Sequence, residues 1–393
     1  MHIAKVDVYV LKLDPVDPSA TYLGRRNDGS QPHADEGYTV RVPWRSLYSA
    51  RYETVLVKLT ASSGEIGWGE ALAPVGPEVL AEAITTLIAP QVLGLDPRRL
   101  RPNWSALRNL MRERGHLVGH QADALAAVDI ALWDLAGHIS GLSVATLLGG
   151  AFTDDVPVYI SGLPVTTNPE RAELAKSWVA EGAGAVKLHI GFGVAEDLEI
   201  YDAVAAAAPS LRIAVDAHWA YGRGEALQLG RALDERHALF LEAPLAPEDL
   251  RGHAHLQGQL STPVAIGETL RNRYEFSQWI AAGAVQVVQP DIGRTGITEG
   301  MLIADLASTN HLVVAPHHSI GLGISFAAGL HVAASSEALL MFEYQPSTLK
   351  MASAILTEPL QRAAGQVPLT VGPGLGIHVD EEFVAAHAVH WAH

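Results

Sequence analysis

The chain has 393 residues, 48% of them hydrophobic, and 27 Lys and Arg stand against 43 Asp and Glu, for a formal net charge of −16. That length and apolar content point to a globular protein of two domains, or one large barrel with additions, and argue against disorder. The negative charge argues against nucleic acid or an anionic membrane as partner. The absence of cysteine excludes disulfides, thiolate metal sites and cysteine nucleophiles.

The opening stretch MHIAKVDVYVLKL alternates like a strand and lacks the continuous apolar core of a signal peptide. No run approaches the ~20 uninterrupted apolar residues of a membrane span, so a soluble, cytoplasmic protein is expected. A second pair of strands is predicted in ETVLVKLTASSGEIGWGEAL, turning at Ser62-Ser63-Gly64. Between these pieces, from Pro15 to Arg51, runs a long polar stretch of a kind that is either functional or disordered in a compact domain. Arg25, Arg26, His33, Tyr38 and Arg45 in it are candidate partners for polyhydroxy or dicarboxylate groups, or else solvated or oligomer-contact residues. Helical patterns follow in PEVLAEAITTLIAPQVL and ADALAAVDIALWDLAGHIS.

From about residue 156 short apolar runs alternate with amphipathic helical stretches. The runs are VPVYIS, AVKLHIG, RIAVDAHW, LFLEAPL, VAIGETL, VQVVQPDIG, LVVAPHHS and LLMFEYQ. Eight strands separated by helices predict a parallel barrel. A doubly wound sheet would also alternate, but no strand here enters a Gly-x-Gly-x-x-Gly turn. The later piece VPLTVGPGLGIHVD reads as a strand and turn that returns to the first domain.

In a barrel of this type the functional groups sit at the C-terminal strand ends. The strands there carry Lys187 and His189, Asp216 and His218, Glu242, Glu268, Asp291, His317 and His318, and Glu343. Lys187 and His189 alternate with Val186, Leu188 and Ile190, so both basic groups point to one face of their strand. Asp216, Glu242 and Glu268 follow one another at intervals of 26 residues, which predicts carboxylates from adjacent strands. Three carboxylates do not share a pocket as anions without a cation. Oxygen ligands without cysteine suit Mg²⁺ or Mn²⁺. The plainer alternative is that each acid is separately salt-bridged or solvated.

In chain order, VKLHIG, VDAH, LEAP, GET, QPD and PHH resemble the motif set of the enolase superfamily in its mandelate racemase-like branch. GWGEAL and DIALWDLAGHISGLSVATLLGG are similar to that family's capping-domain elements. The resemblance spans essentially the whole chain and implies an α/β fold. It implies a modified (β/α)7β TIM-like barrel over residues 129–350 and an N-terminal α+β capping domain over 1–128. The segment 351–393 would return to complete the cap. It further implies one Mg²⁺ held by Asp216, Glu242 and Glu268, abstraction of a proton α to a carboxylate, and assembly into a homo-oligomer. The family's acid–base dyad falls on Asp291 and His317, and its hydrogen bond to the developing enediolate falls on Glu343. Pro316 before the tandem histidines favours His317 for the dyad, with His318 in a supporting role.

The chemistry agrees with those assignments. An α-proton next to a carboxylate is very weakly acidic, so the enediolate needs stabilisation by charge. A metal on the carboxylate oxygens gives it, and the Lys187 ammonium adds to it, unless Lys187 serves only as a salt-bridge partner of the acids. An imidazole hydrogen-bonded to Asp291 through one nitrogen keeps the other as a base. Two positions depart from the family pattern. Where Lys-x-Lys is common, the chain has Lys187-Leu188-His189, which puts racemisation with matched bases in doubt and leaves His189 as base, acid, hydrogen-bond donor or core residue. Asp216-x-His218 resembles the acid-sugar dehydratases, whose histidine protonates a leaving hydroxyl. Packing beside Trp219 is the other reading of His218.

The expected function is therefore Mg²⁺-dependent dehydration of an aldonate or aldarate to a 2-keto-3-deoxy acid. A cycloisomerase, epimerase or racemase acting on a sugar-acid lactone or related carboxylate is the alternative. A catalytically silent metal-binding scaffold is the alternative of another class, although it leaves Lys187 and the histidines without a role.

Overall fold

The computed structural model describes residues 1–14, 37–41 and 46–391. Arg25, Arg26, His33 and Arg45 lie outside the described residues. The N-terminal region is an antiparallel sheet of β1 (Ile3–Leu13), β4 (Tyr52–Ala61) and β5 (Ile66–Leu72), with a separate hairpin of β2 (Tyr38–Arg41) and β3 (Ser46–Ser49). The turn at Ser62-Ser63-Gly64 joins β4 to β5. One long helix, His120–Ser140, lies across β5 and is buried on nearly every side. Its approach is set by two glycines of GWGEAL. A Cβ on Gly67 would stand 2.4 Å from the Ala131 carbonyl oxygen, and one on Gly69 1.9 Å from that of Ala127.

The second region is a parallel sheet of eight strands: β6 (Asp155–Ser161), β7 (Ala185–His189), β8 (Arg212–Asp216), β9 (Leu241–Glu242), β10 (Val264–Ile266), β11 (Val287–Val288), β12 (Val313–Val314) and β13 (Phe342–Tyr344). Each is hydrogen-bonded to its neighbour in that order, and β13 pairs with β6. A parallel bridge between Val314 and Leu339 closes the ring. Helices stand in all seven intervals, which makes the parallel barrel expected from the alternating pattern, in the (β/α)7β form that the resemblance implies. No helix of the described residues is long and apolar enough to cross a membrane.

Alternation along the strands sorts the side chains into two environments. Val186, Leu188, Ile213, Val215, Leu241, Val264 and Ile266 face outward against the helices. Inside, each strand contributes one residue to a packed floor: Tyr159, Ala185, Ala214, Phe240, Ala265, Val287, Ala315 and Met341. Mixing large and small side chains fills the narrow interior, so the barrel is plugged there and everything above is closed from below.

The end of the chain belongs to both regions. β14 (Gln366–Pro368) adds antiparallel to β6 of the barrel, so the first part of VPLTVGPGLGIHVD stays on the barrel. The return to the cap comes later, where β15 (Ala388–His390) pairs with β1. Buried polar bonds tie cap to barrel. Asp129 accepts from the Thr298 backbone and hydroxyl, both at 2.7 Å, and Trp133 Nε1 donates to the same hydroxyl at 2.8 Å. Glu70 accepts from the Leu322 and Ser325 amides at 2.6 and 2.9 Å, at the N-terminus of the helix Gly323–Ala334, where an anion is favoured.

The glycine contact gives a direct test. Gly69→Ala forces a Cβ into a backbone carbonyl that no rotamer change relieves, and should cost about 3 kcal/mol in a urea melt followed by circular dichroism. An unchanged midpoint would mean that the helix and β5 separate without cost.

Candidate active site

Two residues beyond the floor, the same inward face of each strand carries the next layer. It consists of Ser161, Lys187, Asp216, Glu242, Gly267, Gln289, His317 and Glu343. One position in this ring is empty of side chain: a Cβ on Gly267 would lie 2.1 Å from the Gln289 carbonyl oxygen. The acid of the fifth strand is displaced to the following residue, Glu268. Asp216 and Glu242 lie in this layer, each two residues beyond its floor residue, whereas the fifth strand reaches the layer at Gly267, one residue before Glu268. The equal intervals of 26 residues therefore do not mean equal height.

Lys187 is the centre of the layer, with 1% of its surface exposed. Its Nζ stands 2.9 Å from Glu242 Oε2, 2.8 Å from Glu343 Oε1 and 3.9 Å from Asp216 Oδ2. Burial opposes its charge, but Glu242 and Glu343 outweigh burial and hold its pKa well above the ordinary lysine value. Burial pushes Glu242 up to about 8, against the pull of Lys187 and with the help of Asp216 and Glu343. Gln289 Nε2 donates to Glu242 at 2.7 Å. Glu343 also accepts from Tyr159 and from the His318 amide, each at 3.2 Å. Against burial, Lys187 and His317 keep it ionised, at about 2, so in this arrangement it accepts hydrogen bonds.

Across the layer, His317 Nδ1 is 2.7 Å from Asp291 Oδ2, and Nε2 is 3.2 Å from Glu268 Oε2. Burial disfavours the imidazolium, yet Glu343, Asp291 and Glu268 overcome it and raise the His317 pKa well above its usual value. Glu268 is held well below the carboxylate range, against burial, chiefly by His317. It also accepts from Trp219 Nε1 at 3.0 Å. The neighbouring His318 packs edge-on to Phe326, and burial lowers its pKa to about 4.

His189 and His218 lie toward the mouth. His189 keeps 28% of its side chain exposed, with Nε2 3.4 Å from Ser161 Oγ and 4.0 Å from Asp216. Its enclosure lowers its pKa against the pull of Asp216, which favours neutral imidazole. His218 corrects the expectation that it shares the strand face of Asp216. β8 ends at Asp216, and His218 and Trp219 adopt φ of 46° and 62°, which turns the backbone out of the strand. The His218 amide donates to Asp216 Oδ1 at 2.8 Å, and its exposed imidazole meets the Tyr48 hydroxyl through Nε2 at 2.8 Å. Tyr48 comes from β3 of the cap. Tyr38, in contrast, is engaged within the cap, where its hydroxyl donates to Glu53 at 2.8 Å and accepts from the Gly76 amide.

Sequence reading missed Tyr48, Tyr159, Ser161, Trp219 and Gln289 as members of this cluster. The period of two does reach Gln289 from Asp291 and Ser161 from Tyr159. Nothing local in the sequence announces Tyr48, which arrives from another domain.

Comparison with known proteins gives the family. Residues 170–383 match the enolase C-terminal domain-like family, and residues 37–149 match the N-terminal domain of mandelate racemase and muconate lactonizing enzyme. The chain belongs to the mandelate racemase-like branch of the enolase superfamily. It is an enzyme, and members of this superfamily are Mg²⁺-dependent. It is 35% identical to D-galactarolactone cycloisomerase of Agrobacterium fabrum, over 86% of this chain and 92% of that protein. It is 30% identical to D-galactonate dehydratase of Ralstonia nicotianae, over 88% and 92%. An enolase-superfamily structure from Agrobacterium tumefaciens superposes with a TM-score of 0.91 at 33% identity, over 99% of both chains.

The donor set fits a divalent cation by chemistry and by charge. Asp216, Glu242, Glu268, Asp291 and Glu343 bring five acids to Lys187 and His317, an excess of acid that a cation would share. As the side chains are turned here, each acid takes a neighbouring residue as counter-ion, and no ready-made metal-binding group of three appears among the described residues. Lys187→Met leaves the acids without their central charge and should destabilise the metal-free protein by about 3–5 kcal/mol in urea. A wild-type midpoint would mean that the acids are already protonated.

Proposed function

We propose that the protein catalyses β-elimination from a sugar acid, started by abstraction of the α-proton. The observation that carries this reading is His317, set by Asp291 on one side and opposed by Lys187 and its acids on the other. With Nδ1 committed to Asp291, Nε2 is the atom that takes a proton. In the arrangement described, both ring nitrogens face carboxylates, which keeps the ring protonated. His317 acts as a base once Glu268 turns from Nε2, as it would in ligating a metal. Asp216, Glu242 and Glu268 would hold Mg²⁺, or Mn²⁺, which when bound supplies Lewis-acid charge for the substrate carboxylate. Lys187 adds fixed positive charge beside the same acids, in a site dried by the apolar floor. Glu343 keeps Lys187 in place.

Of the two leaving groups, we place the ring oxygen of a sugar-acid lactone first. It departs as a carboxylate and needs no proton, whereas hydroxide leaves poorly without an acid. His218, the acid that dehydration requires, is tied to Tyr48 at the mouth instead of facing inward along the strand. The 35% identity to D-galactarolactone cycloisomerase supports the same order. Dehydration of an aldonate or aldarate is the second reading. The similarity to D-galactonate dehydratase favours it.

A panel of aldonates, aldarates and their lactones, incubated with protein and Mg²⁺ in D₂O, tests both. Keto acid from a lactone and none from the open acid is the expected result, abolished by EDTA and restored by Mg²⁺. Keto acid from open acids alone would reverse the order, and deuterium exchange without keto acid would remove elimination.

The dyad makes its own prediction. Asp291 raises the pKa of His317, and a base works only when neutral, so the acid limb of kcat/KM reports that pKa. Asp291→Asn removes a raising partner, so the limb should move to lower pH while kcat falls by about 10²-fold or more. A limb that stays in place would mean that His317 is not the titrating base.

A further inference from the structure

A second cleft opens where the cap meets the barrel and shares no residue with the carboxylate site. The cap helix Leu100–Asn109 lines it with Trp104 and Arg108, and the barrel lines it with Arg271, Arg294 and Glu299. The cleft is partly open to solvent. Two of its charges are already matched. Arg271 is paired with Asp123 at 3.0 Å, and Glu299 with Arg273 at 3.1 Å. The other two make no close ion pair among the described residues, although Arg108 acts on Glu299 and Arg294 on Glu268 at longer range. Arg108 spends one nitrogen on the Tyr274 hydroxyl at 3.3 Å, while Arg108 Nε, Arg294 Nε and Trp104 Nε1 are buried with no hydrogen-bond acceptor among the described residues. Trp104 is only 4% exposed, so its indole N–H has little water of its own.

Three unanswered donors and two guanidinium groups without a close ion pair in one cleft are a charge arrangement and not only a hydrogen-bond deficit. Water could accept from the donors, but an anion would also be drawn by the two guanidinium charges, which Glu299 and Glu268 reach only at longer range. The Arg108 guanidinium is also fixed in orientation, 4.8 Å from the Trp104 ring and 5.4 Å from that of Tyr274. Preoriented guanidinium forks match the oxygens of a phosphate. We propose that this cleft binds a phosphate dianion, either free or as the terminal group of a small phosphorylated metabolite. Arg271 and Arg294 follow Glu268 and Asp291 by three residues, so the bound anion would sit on the same two loops that carry those site residues.

Calorimetric titration of inorganic phosphate into metal-free protein, at constant ionic strength, tests this without any turnover and so independently of the reaction proposed above. One phosphate per chain is expected. Trp104→Phe keeps the ring beneath Arg108 but removes its N–H, and Arg108→Met removes a charge. Each should weaken binding at least about tenfold, the scale of one charge-assisted hydrogen bond. Circular dichroism and melting confirm that both variants are folded. His189→Asn, in the other site, should bind as the wild type does. Displacement by glycerol 3-phosphate at lower concentration than by phosphate itself would assign the cleft to phosphate esters, and the reverse order to the free anion. The absence of saturable binding in the wild type, or binding that survives both cap substitutions, overturns the proposal.

Discussion

The interaction on which the site depends is the burial of one ammonium among carboxylates. Lys187 has almost no access to solvent, and Glu242 and Glu343 approach it within 3 Å. Taking such charges out of water is costly, and their attraction offsets the cost only when geometry is fixed on every side. The barrel fixes it. The floor from Tyr159 to Met341 closes the interior below, the outward Val186 and Leu188 lock the strand against helices, Tyr159 donates to the Glu343 oxygen that Lys187 leaves over, and Gln289 adds a second donor to Glu242 Oε2. Without the apolar layers the polar layer would admit water, and its charges would lose their mutual strength.

The same layering explains how one site holds two opposed functions. Lys187 gathers Glu242 and Glu343 on one side, while His317 gathers Asp291 and Glu268 on the other. Glu343 joins the two groups, 2.8 Å from Lys187 and 3.9 Å from His317, and Gly267 leaves a gap in the ring. A side chain at that point would strike the backbone of β11, so the fifth strand contributes nothing to the ring and presents its acid one residue later. Glu268 then meets Trp219 and His317 rather than Lys187. In the proposed reaction, Glu268 leaving the imidazole for another partner is what would release the base.

Much of this was legible in the sequence because strands have a period of two and the residues concerned are ionisable. Lys187 between Val186 and Leu188 declares an inward charge in an otherwise apolar strand, and Asp291 with His317 declares a pair once the barrel order is known. Height was not legible from spacing. An interval of 26 residues counts helix and loop as well as strand, whereas height is counted along each strand from the floor, and that count puts Gly267 and not Glu268 in the layer of Glu242. Nor was the fate of His218 legible. Counting by two assumes that the strand continues, and a left-handed backbone at His218 and Trp219 ends that assumption. The order of the motifs still identified the barrel, because order survives such local turns.

The Tyr48 contact shows why the cap matters to the chemistry and not only to closure. The barrel alone supplies charge and a base, all from strand ends whose positions are fixed by hydrogen-bonded register. His218 is exposed on a loop, and its imidazole is oriented by a residue from a hairpin outside the main cap sheet. Groups held by sheet register resist displacement, while groups held by a hairpin move with it. The step common to both proposed reactions, removal of the α-proton, therefore rests on the rigid part. The step that distinguishes them, whether the leaving group receives a proton, rests on the part that a change in the cap can alter without disturbing Lys187 or His317.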